Sequence, residues 1–460
     1  GHRFRRVLKW FTLAGIFEAA IVYACLFIGT YAFSVKYFGL EVLKPGNLIV
    51  PSERRAVQLE SSDYIKKLLV DRSSHNGLDA MMARLAVGQD IAGVNEHIQN
   101  MEAGFAGTYG NWDFRMTVLI ALLYNFGDDP ERVYPETLEH IVDVLLNEKG
   151  GDPIVYTPRI FGLPLQDTEN HILQTEGSRY LTNQWIARAG NPDPKYDNIE
   201  NGLEAWLLDY LQNIELGGMM EYNSLSYAGF SLRALLNLEA FAAEPVAASA
   251  RRILDRMNWE YALGSLSLRS YPPMCRQRRL ASLPDIEENY EMAYMKAWMS
   301  LYPDVDMPGP PLHARFAIWA GLTSYRLPDT VVDWARAKPV DYFVRIGRGR
   351  NASAEIYSGG PGYLISAGGV AIDLLRDTIA RPTVLFLEDG VTQLPELLHL
   401  AGPGERYQDW NNTGVYQHFA VAAGPVHIPA AWVADAVVGD WAVYVRSGQR
   451  IGVYSSDSLG

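Results

Sequence analysis

Apolar positions recur at helical spacing through the first three quarters of the chain, then give way to short alternating runs. Within Asn76–Met101, the residues Leu78, Met81, Met82, Leu85, Ala86 and Ile91 form one stripe, the spacing of an amphipathic helix. Trp112–Phe126 is almost wholly apolar and stops at Gly127-Asp128-Asp129-Pro130, a turn sequence that proline prevents from continuing as helix. Pro135–Asn147 places Leu138, Ile141, Val142, Leu145 and Leu146 on one face. Helical patterns continue near 168–189, 197–213, 224–242, 245–262, 285–301, 311–322 and 329–337, which makes about ten helices. They carry no fixed repeat signature and their loops vary in length, so a closed α/α toroid is expected in preference to an open solenoid.

After Pro339 the texture changes. Tyr342–Ile346, Ala354–Tyr357, Gly362–Ser366, Thr383–Leu387, Val415–Ala422, Trp441–Arg446 and Ile451–Tyr454 are short runs rich in β-branched and aromatic residues. Gly, Asn and Asp separate them, which predicts an antiparallel β-sandwich.

The segment before the helices has its own pattern. Arg3, Arg5, Arg6 and Lys9 precede an apolar run from Trp10 to Val35 that only Glu18 interrupts. Such a run is long enough for a transmembrane helix, with the basic flank on the cytoplasmic side and the remainder outside. Glu18 is costly at mid-membrane. The alternative is a cleaved signal with Thr30-Tyr31-Ala32 as its small-residue site. Both place the bulk of the protein in an extracytoplasmic compartment, periplasmic or extracellular.

The expected fold class is therefore α+β multidomain. Residues 1–36 form a membrane anchor or signal, 37–75 a connector, 76–338 the α/α toroid and 339–460 the β-sandwich, with Ser458-Leu459-Gly460 read as an open end. A hydrophobic content of 48% with 20% charged residues suits a folded chain. A net charge of −13 with pI near 5.2 argues against a nucleic-acid partner. It leaves room for an acidic ligand, because a local arginine cluster acts against the global sign. Cys25 and Cys275 stand in unrelated segments, so this is no disulfide scaffold.

Three places carry candidate chemistry. Asp167-Thr168-Glu169-Asn170-His171 opens an apolar helix, with Asp167 or Thr168 as its cap. There the positive end of the helix dipole is expected to keep the His171 imidazole neutral and able to accept a proton. Capping alone is the plainer account of that segment. Glu221-Tyr222-Asn223-Ser224-Leu225-Ser226-Tyr227 precedes another apolar helix and offers two tyrosines, or simply aromatic packing. Arg269, Arg276, Arg278 and Arg279 surround Tyr271-Pro272-Pro273. Arginine forks suit carboxylates and sulfates, although Asp285, Glu287 and Glu288 are also on hand as partners.

Other signals are weaker. Gly359-Gly360-Pro361-Gly362 reads as a turn and not as a phosphate cradle. His399, His418 and His427 lack ligand spacing and no HExxH or CxxC occurs, so no metal or cofactor is expected.

On Asn170-His171, on Tyr222–Tyr227 and on the run Tyr357–Ser366, the chain resembles the toroid-plus-sandwich polysaccharide lyases of the heparinase II/III-like and alginate lyase kind. The resemblance spans roughly residues 75 to 460. It implies β-elimination on an acidic, uronate-containing polysaccharide. Asn170 would neutralise the uronate carboxylate and His171 would take the C5 proton. Tyr227, or Tyr222 in its place, would protonate the leaving oxygen. Glu221, Arg269, Tyr271, Arg276, Arg278 and Arg279 would bind substrate, and His399 or His418 would supply a second histidine. The residue types suit the reaction, because a C5 proton beside a carboxylate becomes removable only once that anion is neutralised. Two other functions fit the same chain. One is a glycoside hydrolase pairing Glu169 or Glu176 with Glu221. The other is a non-catalytic, membrane-anchored glycan-binding or envelope protein, whose mark is an Asn170 and His171 buried and paired.

Overall fold

Helix follows helix from Asp63 to Arg336 in the computed structural model. It describes residues 15–29, 48–55, 62–104, 110–147, 159–160, 163–164, 168–219, 221, 223–270, 289–302, 311–346, 355–368, 381–391, 393, 396–400, 413–422 and 424–456. Helix α1 covers 15–29. It is followed by α2 (Asp63–Ser73), α3 (Leu78–Val87), α4 (Ile91–Gln99) and α5 (Trp112–Phe126). Next come α6 (Pro135–His140), which runs on as a π-helical turn at Ile141–Leu146, α7 (Glu169–Arg188) and α8 (Leu203–Gly217). The series closes with α9 (Tyr227–Phe241), α10 (Glu244–Leu263), α11 (Tyr290–Met299), α12 (Ala314–Leu322) and α13 (Asp329–Arg336).

The boundaries have local causes. Ser62 caps α2 by accepting from Ile65 N, and Pro135 stands in the first turn of α6, where its missing N–H costs nothing. Gly88 ends α3 in the left-handed region at φ 72°. Asn289 starts α11 by accepting from Glu291 N, later than the helical pattern from 285 suggests.

The membrane-spanning helix expected over Trp10–Val35 is not supported among the described residues. The helix described in that run covers 15–29, and no described helix is long and apolar enough to cross a membrane.

Contacts between helices close a circuit. α2 packs on α3, α3 on α5, α5 on α7, α7 on α9, α9 on α11, α11 on α12, and α12 returns to α2. α8 and α13 lie outside it and pack on α10, which in turn packs on α9. Along the inner helices the interior is polar as well as apolar. Asn237 Nδ2 donates to Thr117 O at 2.8 Å, and Trp319 Nε1 donates to Asn237 Oδ1 at 3.0 Å.

Two hairpins interrupt the helical region, where the pattern predicted none. β1 (Arg159–Ile160) pairs with β2 (Leu163–Pro164), and β3 (Ser265–Leu266) with β4 (Arg269–Ser270). The second turns through Ser267 and Leu268 at φ 52° and 61°. That is the mirror-image turn usually announced by Asn-Gly, so the sequence carries no signal for it.

The later strands form antiparallel sheets. β5 (Tyr342–Ile346), β6 (Glu355–Gly360), β7 (Tyr363–Gly368), β8 (Arg381–Leu387), β9 (His399–Leu400) and β12 (Val426–His427) make a six-stranded sheet in the order β12-β9-β8-β7-β6-β5. β10 (Thr413–Tyr416) and β11 (Phe419–Ala422) form a hairpin. β13 (Ala436–Val438), β14 (Trp441–Arg446) and β15 (Gln449–Tyr454) form a meander.

Alternation assigns the large sheet's two faces. Tyr357, Leu364, Val384 and Phe386 join the helical core. On the other face Ile365 and Ala367 pack with Val415, while Leu398 packs with Ala442, Tyr444 and Val453. The helical and sheet parts are also joined at the end of α10. Its last carbonyls, which helix geometry leaves without partners, receive Lys338 Nζ at Ala262 and Tyr342 Oη at Leu263, the latter at 2.7 Å. Burial lowers the Lys338 ammonium to about 7.

Candidate functional site

The first turns of α5, α7, α9, α11 and α12 meet at one end of the helical circuit, and aromatic rings connect them. Phe114 of α5 lies 5.3 Å from the His171 ring of α7 and 4.3 Å from Phe230 of α9. Phe230 meets Tyr290 of α11 at 5.8 Å. Tyr290 in turn stacks on Phe316 of α12 at 4.6 Å and contacts His313, the cap of α12, at 4.2 Å. Tyr290 N also donates to Leu225 O at 2.7 Å, which ties α11 to the approach of α9. Helix N-termini present unpaired N–H groups and a partial positive charge, so a cluster of them favours anions.

His171 is held from α5. Its Nδ1 stands 2.5 Å from Asp113 Oδ2, and Asp113 is fully buried. The helix dipole alone therefore does not set the ring's state, as the sequence suggested. A carboxylate on Nδ1 keeps the proton there and makes Nε2 the basic nitrogen.

Asn170 is placed differently from its expected role. It is fully buried, with Nδ2 donating to Glu221 Oε2 at 2.7 Å and to Thr168 Oγ1 at 2.8 Å. Its backbone N also donates to Glu221 Oε2, at 3.3 Å, and Glu221 N donates to Glu169 Oε2 at 3.1 Å. Glu221 is 5% exposed. Its Oε2 already accepts from the α7 N-terminus, so the Asn170 amide is directed at Glu221 and Thr168. Adjacent helix positions diverge by about 100°, which is why Asn170 turns inward while His171 stays partly exposed at 13% of its side chain.

Tyr227 begins α9 half-buried, with its N donating to Ser224 Oγ at 3.3 Å. It precedes Phe230 by three residues on one helix, so the two share a face. Arg269 lies elsewhere and its guanidinium donates to Val391 O at 2.9 Å, bridging to the β part. Tyr222, Tyr271, Arg276, Arg278 and Arg279 lie outside the described residues. His399 stacks on His427 at 4.4 Å and His418 lies 5.9 Å from Phe419, so both find their partners within the sheets.

The carboxylates of the hydrolase alternative are all buried. Glu169 is 4% and Glu176 1% exposed, and burial pushes Glu176 up to about 7 against the pull of Arg179.

Sequence reasoning missed Asp113, Phe114, Phe230, Tyr290, His313 and Arg315. One signal was available: Asp113 and Arg115 are the charges in the otherwise apolar Trp112–Phe126, both in its first turn. Another buried space lies where α9, α10 and α11 meet β6. It holds about 30 Å³ and is lined by Glu221, Glu260, Glu291, Glu355 and Tyr357 among others. That admits a water or two and no sugar. Burial, with Glu260 adding repulsion, pushes Glu291 and Glu355 each up to about 8.

Comparison with protein-family models, curated proteins and solved structures found no match.

Proposed function

We propose that this protein binds an acidic, uronate-containing glycan at the converging helix starts and cleaves it by β-elimination. The observation that carries the reading is the His171–Asp113 pair at the converging helix starts. His171 Nε2 takes the C5 proton, the C4–oxygen bond breaks, and a C4–C5 double bond forms. Tyr227 gives its phenolic proton to the departing oxygen and recovers one from water. Such a substrate places the protein outside the cytoplasm, and nucleic acid is not a partner.

A second reading is binding without turnover. The burial of Asn170 against Glu221 favours it, because that pair leaves the uronate carboxylate without its expected neutralising group.

One assay separates the two. Purified protein is incubated with a panel of uronate polysaccharides, and absorbance from new double bonds is followed. His171→Ala and Tyr227→Phe are each expected to lower turnover by about 10²–10⁴-fold. Full activity in both variants sinks the lyase reading. Binding by a wild type that releases no product moves the assignment to a glycan-binding protein.

A further inference from the structure

Two arginines, one on α9 and one on α12, make no ion pair among the described residues. Arg233 of α9 is buried, with an Nη donating to Phe114 O at 2.8 Å and to Gln174 Oε1 at 2.9 Å. Its Nε is buried and makes no hydrogen bond. Its guanidinium lies 5.1 Å from the Phe230 ring and 5.8 Å from the buried ring of Phe316. Arg315 of α12 is exposed. Its guanidinium stands over Tyr290 and Phe316 at 5.4 and 4.9 Å, and an Nη approaches Tyr290 Oη at 3.5 Å.

The nearest acidic groups are bonded to other side chains, Asp113 to His171 and Asp79 to Arg72, and both still temper the charge of Arg233 at longer range. Among the described residues, no ion pair offsets either Arg233 or Arg315. A buried guanidinium that no close ion pair offsets is costly, and here Asp79 and Asp113 offset Arg233 only at longer range. Arg315 thus presents its exposed charge beside the rings of Tyr290 and Phe316, and an arginine flat on an aromatic face keeps its fork available for an oxyanion.

Resting on the lyase reading, we propose that Arg315, backed by the buried charge of Arg233, forms a second anion subsite of this mouth. It holds the carboxylate of a sugar along the chain from the one that His171 attacks. The aromatic faces of Tyr290 and Phe230 carry the apolar side of the sugar rings, and Arg315 supplies the charge selectivity over neutral glycans.

Titration calorimetry on the whole chain tests this with two probes, sodium sulfate and a uronate tetrasaccharide. Arg315→Gln is expected to weaken both by about tenfold or more, the worth of a charge-assisted bond to an ionised group. It should also flatten the salt dependence of binding, while Arg315→Lys recovers part of the loss. Lys67→Gln, which removes an exposed cation of α2, is the control and leaves both affinities in place. Unchanged affinity for both probes in Arg315→Gln overturns the subsite, whatever the turnover of the wild type. A wild type that binds neither probe overturns it too. Loss of sulfate binding in Arg315→Gln, in a protein that cleaves no uronate polymer, upholds the subsite and removes the lyase reading instead.

Discussion

His171 Nδ1 lies 2.5 Å from Asp113 Oδ2, so a fully buried carboxylate of α5 orients the imidazole at the start of α7. Neither residue alone resembles a site. In the proposed reaction they act together, as a base whose reactive nitrogen is chosen by its partner.

The first prediction tests that dependence. Asp113→Asn keeps the shape but lets the ring take the wrong tautomer, with the proton on Nε2. Turnover of a uronate polymer is expected to fall by about 10²–10⁴-fold with little change in KM. Initial rates from double-bond absorbance check this, with thermal unfolding run beside them. If KM rises as turnover falls, Asp113 shapes the binding surface more than the base.

A second prediction concerns how closely the helix starts approach. A Cβ on Gly229 of α9 would stand 2.5 Å from Tyr290 Cβ of α11. Only glycine permits that approach. Gly229→Ala is expected to cost about 1–3 kcal/mol by overpacking, measured by urea unfolding. Because the clash moves Tyr290, binding of the uronate tetrasaccharide should weaken as well. Stability equal to the wild type would mean that the two helices separate freely.

The third prediction is a pH dependence. Glu291 is raised to about 8 by burial, with Glu260 nearby adding repulsion. The folded state therefore holds a proton that the unfolded chain releases near pH 4.5. The stability linked to this group is fully present below about pH 4.5 and is lost as pH rises to about 8. Glu355 behaves alike, with Tyr357 Oη donating to it at 2.9 Å. Arg256, which donates to Glu260 at 2.8 Å, tempers the negative charge from α10. Glu291→Gln should thus stabilise the protein at pH 8, on the order of a few kcal/mol, with the gain shrinking toward pH 5. Urea midpoints at the two pH values measure it. Equal gains at both values would detach the effect from ionisation.

Much of the secondary structure was legible because its causes are local. The stripe through Leu78, Met81, Met82 and Leu85, and the stop at Gly127-Asp128-Asp129-Pro130, depend on neighbours within a turn or two. The Ser267–Leu268 turn was not legible, since neither residue ordinarily takes positive φ and only the β3–β4 pairing holds them there. Nor did the apolar run from Trp10 to Val35 yield a membrane span, since no described helix is long and apolar enough to cross a membrane.

At the site, the sequence by itself offered Asn170, His171 and Tyr227, with Tyr222 in reserve, as candidate side chains at helix starts. Only the tertiary structure decided their company. Asp113 reaches His171 across 58 positions of chain, and Glu221 reaches Asn170 across 51. Spacing along a helix sets which neighbours share a face, but it carries no information about which helix lies opposite. Side-chain packing between α5, α7 and α9 settles that, turning Asn170 inward onto Glu221 and leaving His171 beside Phe114 at the mouth.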